Sequence, residues 1–101
     1  MTILVDDTVF SVSANGTFDL GTWHDAGAFE SATLILRAGG TANNYAFAVA
    51  ESNDKSVLSE PAVTTSGDYH AVALTCRYFK WQVVITGAGA VDTLTYCIGA
   101  N

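Results

Sequence analysis

The sequence predicts an all-β fold: a single two-sheet antiparallel β-sandwich of about eight strands over residues 1–101, with a jelly roll as one topology that fits and a closed barrel as the alternative. Three observations carry this. The run Arg77-Tyr78-Phe79-Lys80-Trp81-Gln82-Val83-Val84-Ile85-Thr86-Gly87 alternates cleanly, with Phe79, Trp81, Val83 and Ile85 on one side and Tyr78, Lys80, Gln82, Val84 and Thr86 on the other. A period of two marks a strand with one buried face and one face open to water or a partner. Turn signals recur at short intervals, and no segment sustains a helical period with caps.

The elements follow in chain order. Ile3-Leu4-Val5 is a short edge strand or an N-terminal arm within residues 1–7, and Thr8–Ser13 is the first full strand. Asn15-Gly16 turns the chain into a strand over Thr17–Trp23. His24-Asp25-Ala26-Gly27 reads as loop, and Ser31–Arg37 as a strand with Ala32, Leu34 and Leu36 on one face. After a loop at Gly39–Asn44, Tyr45–Glu51 alternates large and small residues, with Tyr45, Phe47 and Val49 toward the core. Alanines at 46, 48 and 50 leave room on the other face for a neighbouring sheet. Ser52–Ser56 is a turn, and Pro61 demotes Val57–Thr65 to an edge strand or irregular chain. Ser66-Gly67-Asp68 turns into a strand over Tyr69–Thr75, Arg77–Gly87 follows, and Gly87-Ala88-Gly89-Ala90 leads to a last strand over Thr93–Ile98.

The final two runs read as a hairpin. With Thr86 opposite Thr93, Ile85 meets Leu94, Val83 meets Tyr96 and Trp81 meets Ile98, so apolar residues oppose apolar residues. In that register Cys97 faces Gln82, which leaves Cys76 roughly 20 Å away along an extended strand. A disulfide needs Cα atoms within about 7 Å, so two free, mostly buried thiols are expected.

Composition narrows the function classes. Only 14% of residues are charged, against about 25% in ordinary soluble domains. Such a surface is either unusually neutral or covered by neighbouring subunits, and the second reading points to a homo-oligomer. The net charge is -6, and the four bases Arg37, Lys55, Arg77 and Lys80 are scattered, so no nucleic-acid partner is expected. Met1–Asp7 lacks the basic start and apolar core of a secretory signal, and no apolar run approaches the roughly 20 residues of a spanning helix. The expectation is synthesis in a cytosol and no membrane partner.

Catalytic and metal chemistry find little footing. His24-Asp25 has the residue types of an acid–base pair, but neighbours on a strand point to opposite faces and no activated nucleophile stands nearby. His70 reads as a half-buried polar residue of its strand. The two histidines and two cysteines do not form zinc-ligand spacings. Asp6-Asp7 and Glu51-Ser52-Asn53-Asp54 do not match a calcium loop and read as solvated turns. The Gly87–Ala90 loop lacks the helix and lysine of a phosphate cradle. Trp23 is an exposed aromatic that could stack a sugar ring, with Tyr78 as a second.

The order of signals adds a resemblance. Asp19-Leu20-Gly21, Ser31–Leu36, a Gly-Gly loop, an aromatic strand ending in Glu51-Ser52-Asn53-Asp54, a Ser-Gly-Asp-Tyr turn and Arg77–Gly87 follow one another. This pattern, from Asp19 to Gly87, resembles small all-β virion proteins of tailed bacteriophages, among them capsid decoration (cement) proteins. The resemblance implies a non-enzymatic protein of the capsid surface that binds the major capsid protein or another virion protein, stabilises the head and forms a homo-oligomer such as a trimer. It implies no catalytic residue, cofactor or metal. The expected partner contacts are Ile3, Leu4, Val5, Trp23, Tyr78, Lys80 and Gln82. The alternative is a carbohydrate-binding sandwich module of a tail fibre or cell-wall-directed protein.

Overall fold

The alternating runs become eight strands in a computed structural model that describes residues 1–12, 14–38, 45–55, 62–64, 69–86 and 92–101. They are β1 (Thr2–Val12), β2 (Gly16–Asp25), β3 (Ser31–Ala38), β4 (Tyr45–Ser52), β5 (Ala62–Thr64), β6 (Tyr69–Ala73), β7 (Tyr78–Ile85) and β8 (Asp92–Ala100). The expected Gly39–Asn44 loop, Pro61, the Ser66–Asp68 turn and the Gly87–Ala90 loop lie outside the described residues, as do the side chains of Arg37 and Tyr45.

The strands form two four-stranded antiparallel sheets, sheet A in the order β1-β8-β3-β6 and sheet B in the order β2-β7-β4-β5. Every connection except β4–β5 crosses from one sheet to the other. This strand order is that of a jelly roll, the all-β sandwich built from two Greek keys.

The topology corrects the C-terminal hairpin. β7 pairs with β2 and β4, whereas β8 pairs with β1 and β3, so the two are central strands of opposite sheets. Matching apolar residues across a hairpin and matching them across a sandwich core impose the same alternation, and pattern alone does not separate the two cases. No disulfide joins the two cysteines all the same, with Cys97 buried and Cys76 half-buried on the link before β7.

The core is the space between the inward rows. From β7 come Phe79, Trp81, Val83 and Ile85, all buried, while Tyr78, Lys80, Gln82 and Val84 are half-buried on the other side. β8 supplies Leu94, Tyr96, Ile98 and Ala100, β3 Ala32 and Leu34, β4 Phe47 and Val49, and β2 Leu20. Phe10 and Phe18 meet with ring centroids 5.7 Å apart. His70 also points inward and is buried, its ring 5.3 Å from Phe47 and 6.5 Å from Trp81. It is more enclosed than a half-buried strand residue, because its register partner Leu34 is itself a core residue.

Two further expectations change. His24 and Asp25 close β2 and are not loop residues. Ala48 and Ala50 face outward from β4 yet are only 1% and 0% exposed, so this part of the strand is covered within the chain and is not open to a neighbouring sheet, while Ala46 is half-buried. Their row partners on β7 are Gln82 and Lys80, whose long stems lie alongside.

The Glu51–Asp54 turn has a structural task. Glu51 Oε1 accepts hydrogen bonds from the backbone N–H groups of Thr75 and Cys76 at 2.6 and 3.1 Å, and Asn53 Oδ1 accepts one from Arg77 N at 3.1 Å. Ser52 Oγ donates to Asp54 Oδ1 and accepts from Asp54 N. The turn thus clasps the β6–β7 link instead of lying free in solvent. Glu51→Ala is expected to lower stability by about 2 kcal/mol, since it removes a charged acceptor from two backbone donors. Thermal unfolding by circular dichroism checks this, and an unchanged Tm would show that the clasp is dispensable.

Candidate functional site

With the core occupied by the inward rows, chemistry available to a partner lies on the two outward faces, which differ in kind. The outward face of sheet B is polar and aromatic. β2 departs from regular pairing between Leu20, opposite Trp81, and His24, opposite Phe79. Three residues, Gly21, Thr22 and Trp23, therefore span the place of Lys80 alone, and Gly21 takes φ +93°, which only glycine adopts readily. The bulge brings Trp23 beside Lys80, whose Nζ lies 4.6 Å from the ring centroid.

Asp19 completes this cluster. Its carboxylate accepts from Gln82 Nε2 at 2.9 Å through one oxygen and from Lys80 Nζ at 3.1 Å through the other. The hydrogen bond from Gln82 and the pairing with Lys80 hold the Asp19 carboxyl below its ordinary value, against the opposing effect of partial burial. Farther along β7, Tyr78 is flanked by Lys55 Nζ and the Arg77 guanidinium, 5.2 and 5.3 Å from its ring centroid, and Arg77 pairs with Asp25 at 3.5 Å.

The outward face of sheet A is different. Opposed residues in an antiparallel ladder share a face, so the pairs Ile3–Gly99, Val9–Thr95, Ser11–Thr93, Thr33–Gly99, Thr33–Ala71 and Ser31–Ala73 map it. Among the described side chains on this face the charged ones are Asp6 and Asp7. These two oppose the single residue Cys97 where the register shifts between Val5 and Thr8, and the bulge brings both carboxylates and the thiol within 4.8 Å of one another. The exposed large hydrophobics of the described residues, Met1, Ile3 and Val9 at 55%, 49% and 62% exposure, belong to β1 or its start. Met1 lies against the outward side of Gly99, where an added Cβ would come within 2.6 Å of its sulfur and 2.9 Å of the Thr2 carbonyl oxygen. All three thus share the outward face of sheet A.

The expected contact residues divide accordingly. Trp23, Lys80 and Gln82 come together on sheet B, with Tyr78 two residues along the same row. Ile3 is exposed on sheet A, whereas Leu4 and Val5 are half-buried and pack against the core. Sequence reasoning missed Asp19, which its register partner Gln82 draws into the cluster, and missed Val9 as the most exposed of the large apolar residues. Alternation along Thr8–Ser13 was a usable signal for Val9, since Phe10 and Val9 cannot both face the core.

His24 and Asp25 lie on opposite faces of sheet B. The imidazole rests 5.3 Å from the Phe79 ring with Nε2 buried and unpartnered, and Asp25 bonds Gly27 N and Arg77 outside. They do not form an acid–base pair. No protein-family model, curated protein or solved structure matches the chain.

Proposed function

We propose that the chain is a non-enzymatic virion structural protein of the capsid-decoration kind, which lays the outward face of sheet A on the major capsid protein or another virion protein as a homo-oligomer. The observation that carries the reading is the gathering of Met1, Ile3 and Val9 on one face that bears no cation among its described side chains. Exposed apolar groups gathered on a flat sheet favour burial against a partner. Repetition on a lattice multiplies a weak contact into a firm one. The jelly roll is an architecture that viral capsid domains share with lectins. Fold alone does not define function, and it is the apolar face and the resemblance of the strand pattern that support this reading.

Two measurements test the proposal: light scattering of the purified protein, and its presence in virions purified from infected cells. Oligomers in solution and co-purification with particles are expected, and the double variant Ile3→Asp/Val9→Asp should remain folded yet leave the particle fraction. A strictly monomeric protein absent from purified virions would sink the idea.

A further inference from the structure

The opposite face carries chemistry that a docking surface on sheet A does not use. We propose that Trp23, Asp19, Gln82 and Lys80 on the outward face of sheet B form a binding site for the neutral pyranose rings of a glycan. This inference does not depend on the virion reading.

A pyranose offers one face of C–H groups and a rim of vicinal hydroxyls, each both donor and acceptor. A site for it needs an aromatic plane beside fixed polar groups of both kinds. Here the plane is the Trp23 indole. Lys80 stands on the outward face, yet its side chain is only 15% exposed, against 49% for Asp19. Its ammonium is held between the indole and the carboxylate. The lysine therefore packs on one side of the half-buried indole, and the proposed place of the sugar is on the other.

The polar rim is already set. Asp19 is gripped by Gln82 through one oxygen and by Lys80 through the other, and each oxygen keeps a lone pair in reserve. Gln82 keeps its amide oxygen and one N–H. Acceptors and donors thus sit side by side, locked before any ligand arrives, so little side-chain freedom is lost on binding.

The charge balance selects the ligand class. Asp19 and Lys80 neutralise each other at 3.1 Å, so the cluster presents hydrogen-bonding groups without a net field. An anionic sugar would compete with Asp19 for Lys80, whereas a neutral hexose meets both. Tyr78 lies two residues from Lys80 on β7, about 7 Å along the strand, close enough for a second ring of a linear chain.

The test is a glycan array followed by titration calorimetry with cellohexaose, maltohexaose and chitohexaose, and with hexagalacturonate as the charged control. Wild-type protein is expected to bind at least one neutral hexaose and to prefer it to the uronate. Trp23→Ala, Asp19→Asn and Gln82→Ala should each weaken that binding at least about tenfold, while Trp23→Phe retains part of it. Near-ultraviolet circular dichroism checks the fold, and should Trp23→Ala unfold, the other two variants decide. No binding to any neutral glycan, binding unchanged in folded variants, or preference for the uronate would overturn the proposal. Particle association, read with Ile3→Asp/Val9→Asp, is a separate outcome, so either idea can fail alone.

Discussion

Trp81→Ala is expected to cost about 3–5 kcal/mol of folding stability, a large part of the 5–15 kcal/mol that holds a domain of this kind together. Trp81 is 0% exposed at the centre of β7, with Leu20 and Val49 beside it in the ladder and His70 facing it from the other sheet. Truncation leaves a void bounded by two sheets whose pairing prevents collapse, so little of the lost contact is recovered. The indole Nε1 has no hydrogen-bond partner. Trp81→Phe should therefore be much milder than Trp81→Ala, because it removes an unsatisfied donor together with part of the ring. Urea unfolding of the three proteins measures both costs. Equal losses in the two variants would show that the indole N–H is satisfied and matters to the fold.

The second large effect is expected with acid. Burial holds the His24 imidazole below its ordinary value of 6.5. As pH falls past 6.5 the unfolded chain takes up a proton that folded His24 refuses, so stability decreases until the folded imidazole titrates as well. Asp19 acts lower on the scale. Its carboxyl is held below 3.8, chiefly by Gln82 and then by Lys80, so its contribution is full above that value and is lost as pH falls through the folded one. Tyr96 limits the alkaline side. Burial raises its phenol above 10.0, and the unfolded chain loses that proton first, so stability declines as pH climbs past 10.0. Denaturant midpoints taken from pH 4 to 8 should fall steadily below about pH 6.5. His24→Phe keeps a ring against Phe79, removes the unpartnered Nε2 and should flatten that part of the curve. An identical acid limb in His24→Phe would assign the loss to other groups.

Much of the fold was legible in residue alternation. Tyr78–Ile85, Ser31–Ala38 and Tyr45–Ser52 lie within two residues of where pattern placed them, because a half-buried strand needs an apolar residue at every second position. Pairing was not legible to the same degree. The inward residues of β7 and β8 are apolar whether the strands lie side by side or face each other, and only the complete set of neighbours puts them in opposite sheets. The burial of Ala48 and Ala50 was equally hidden, since an alanine reads alike beneath a neighbour's side chain and on an open face.

Residue alternation alone specified an all-β sandwich with Phe79, Trp81, Val83 and Ile85 in its core, whereas the hairpin register that predicts separated cysteines is not the one the fold adopts. The reason is local: period-two burial is written within each strand. Tertiary pairing set the jelly-roll order and the gathering of Met1, Ile3 and Val9 on sheet A. It also joined Trp23 to Asp19, Lys80 and Gln82 on sheet B, across as many as 63 positions of chain. These depend on register between distant strands and on three register shifts, at Leu4, at Asp6-Asp7 and at Gly21–Trp23. An inserted residue changes which side chains meet without disturbing the pattern on either side, so no reading of single strands contains it.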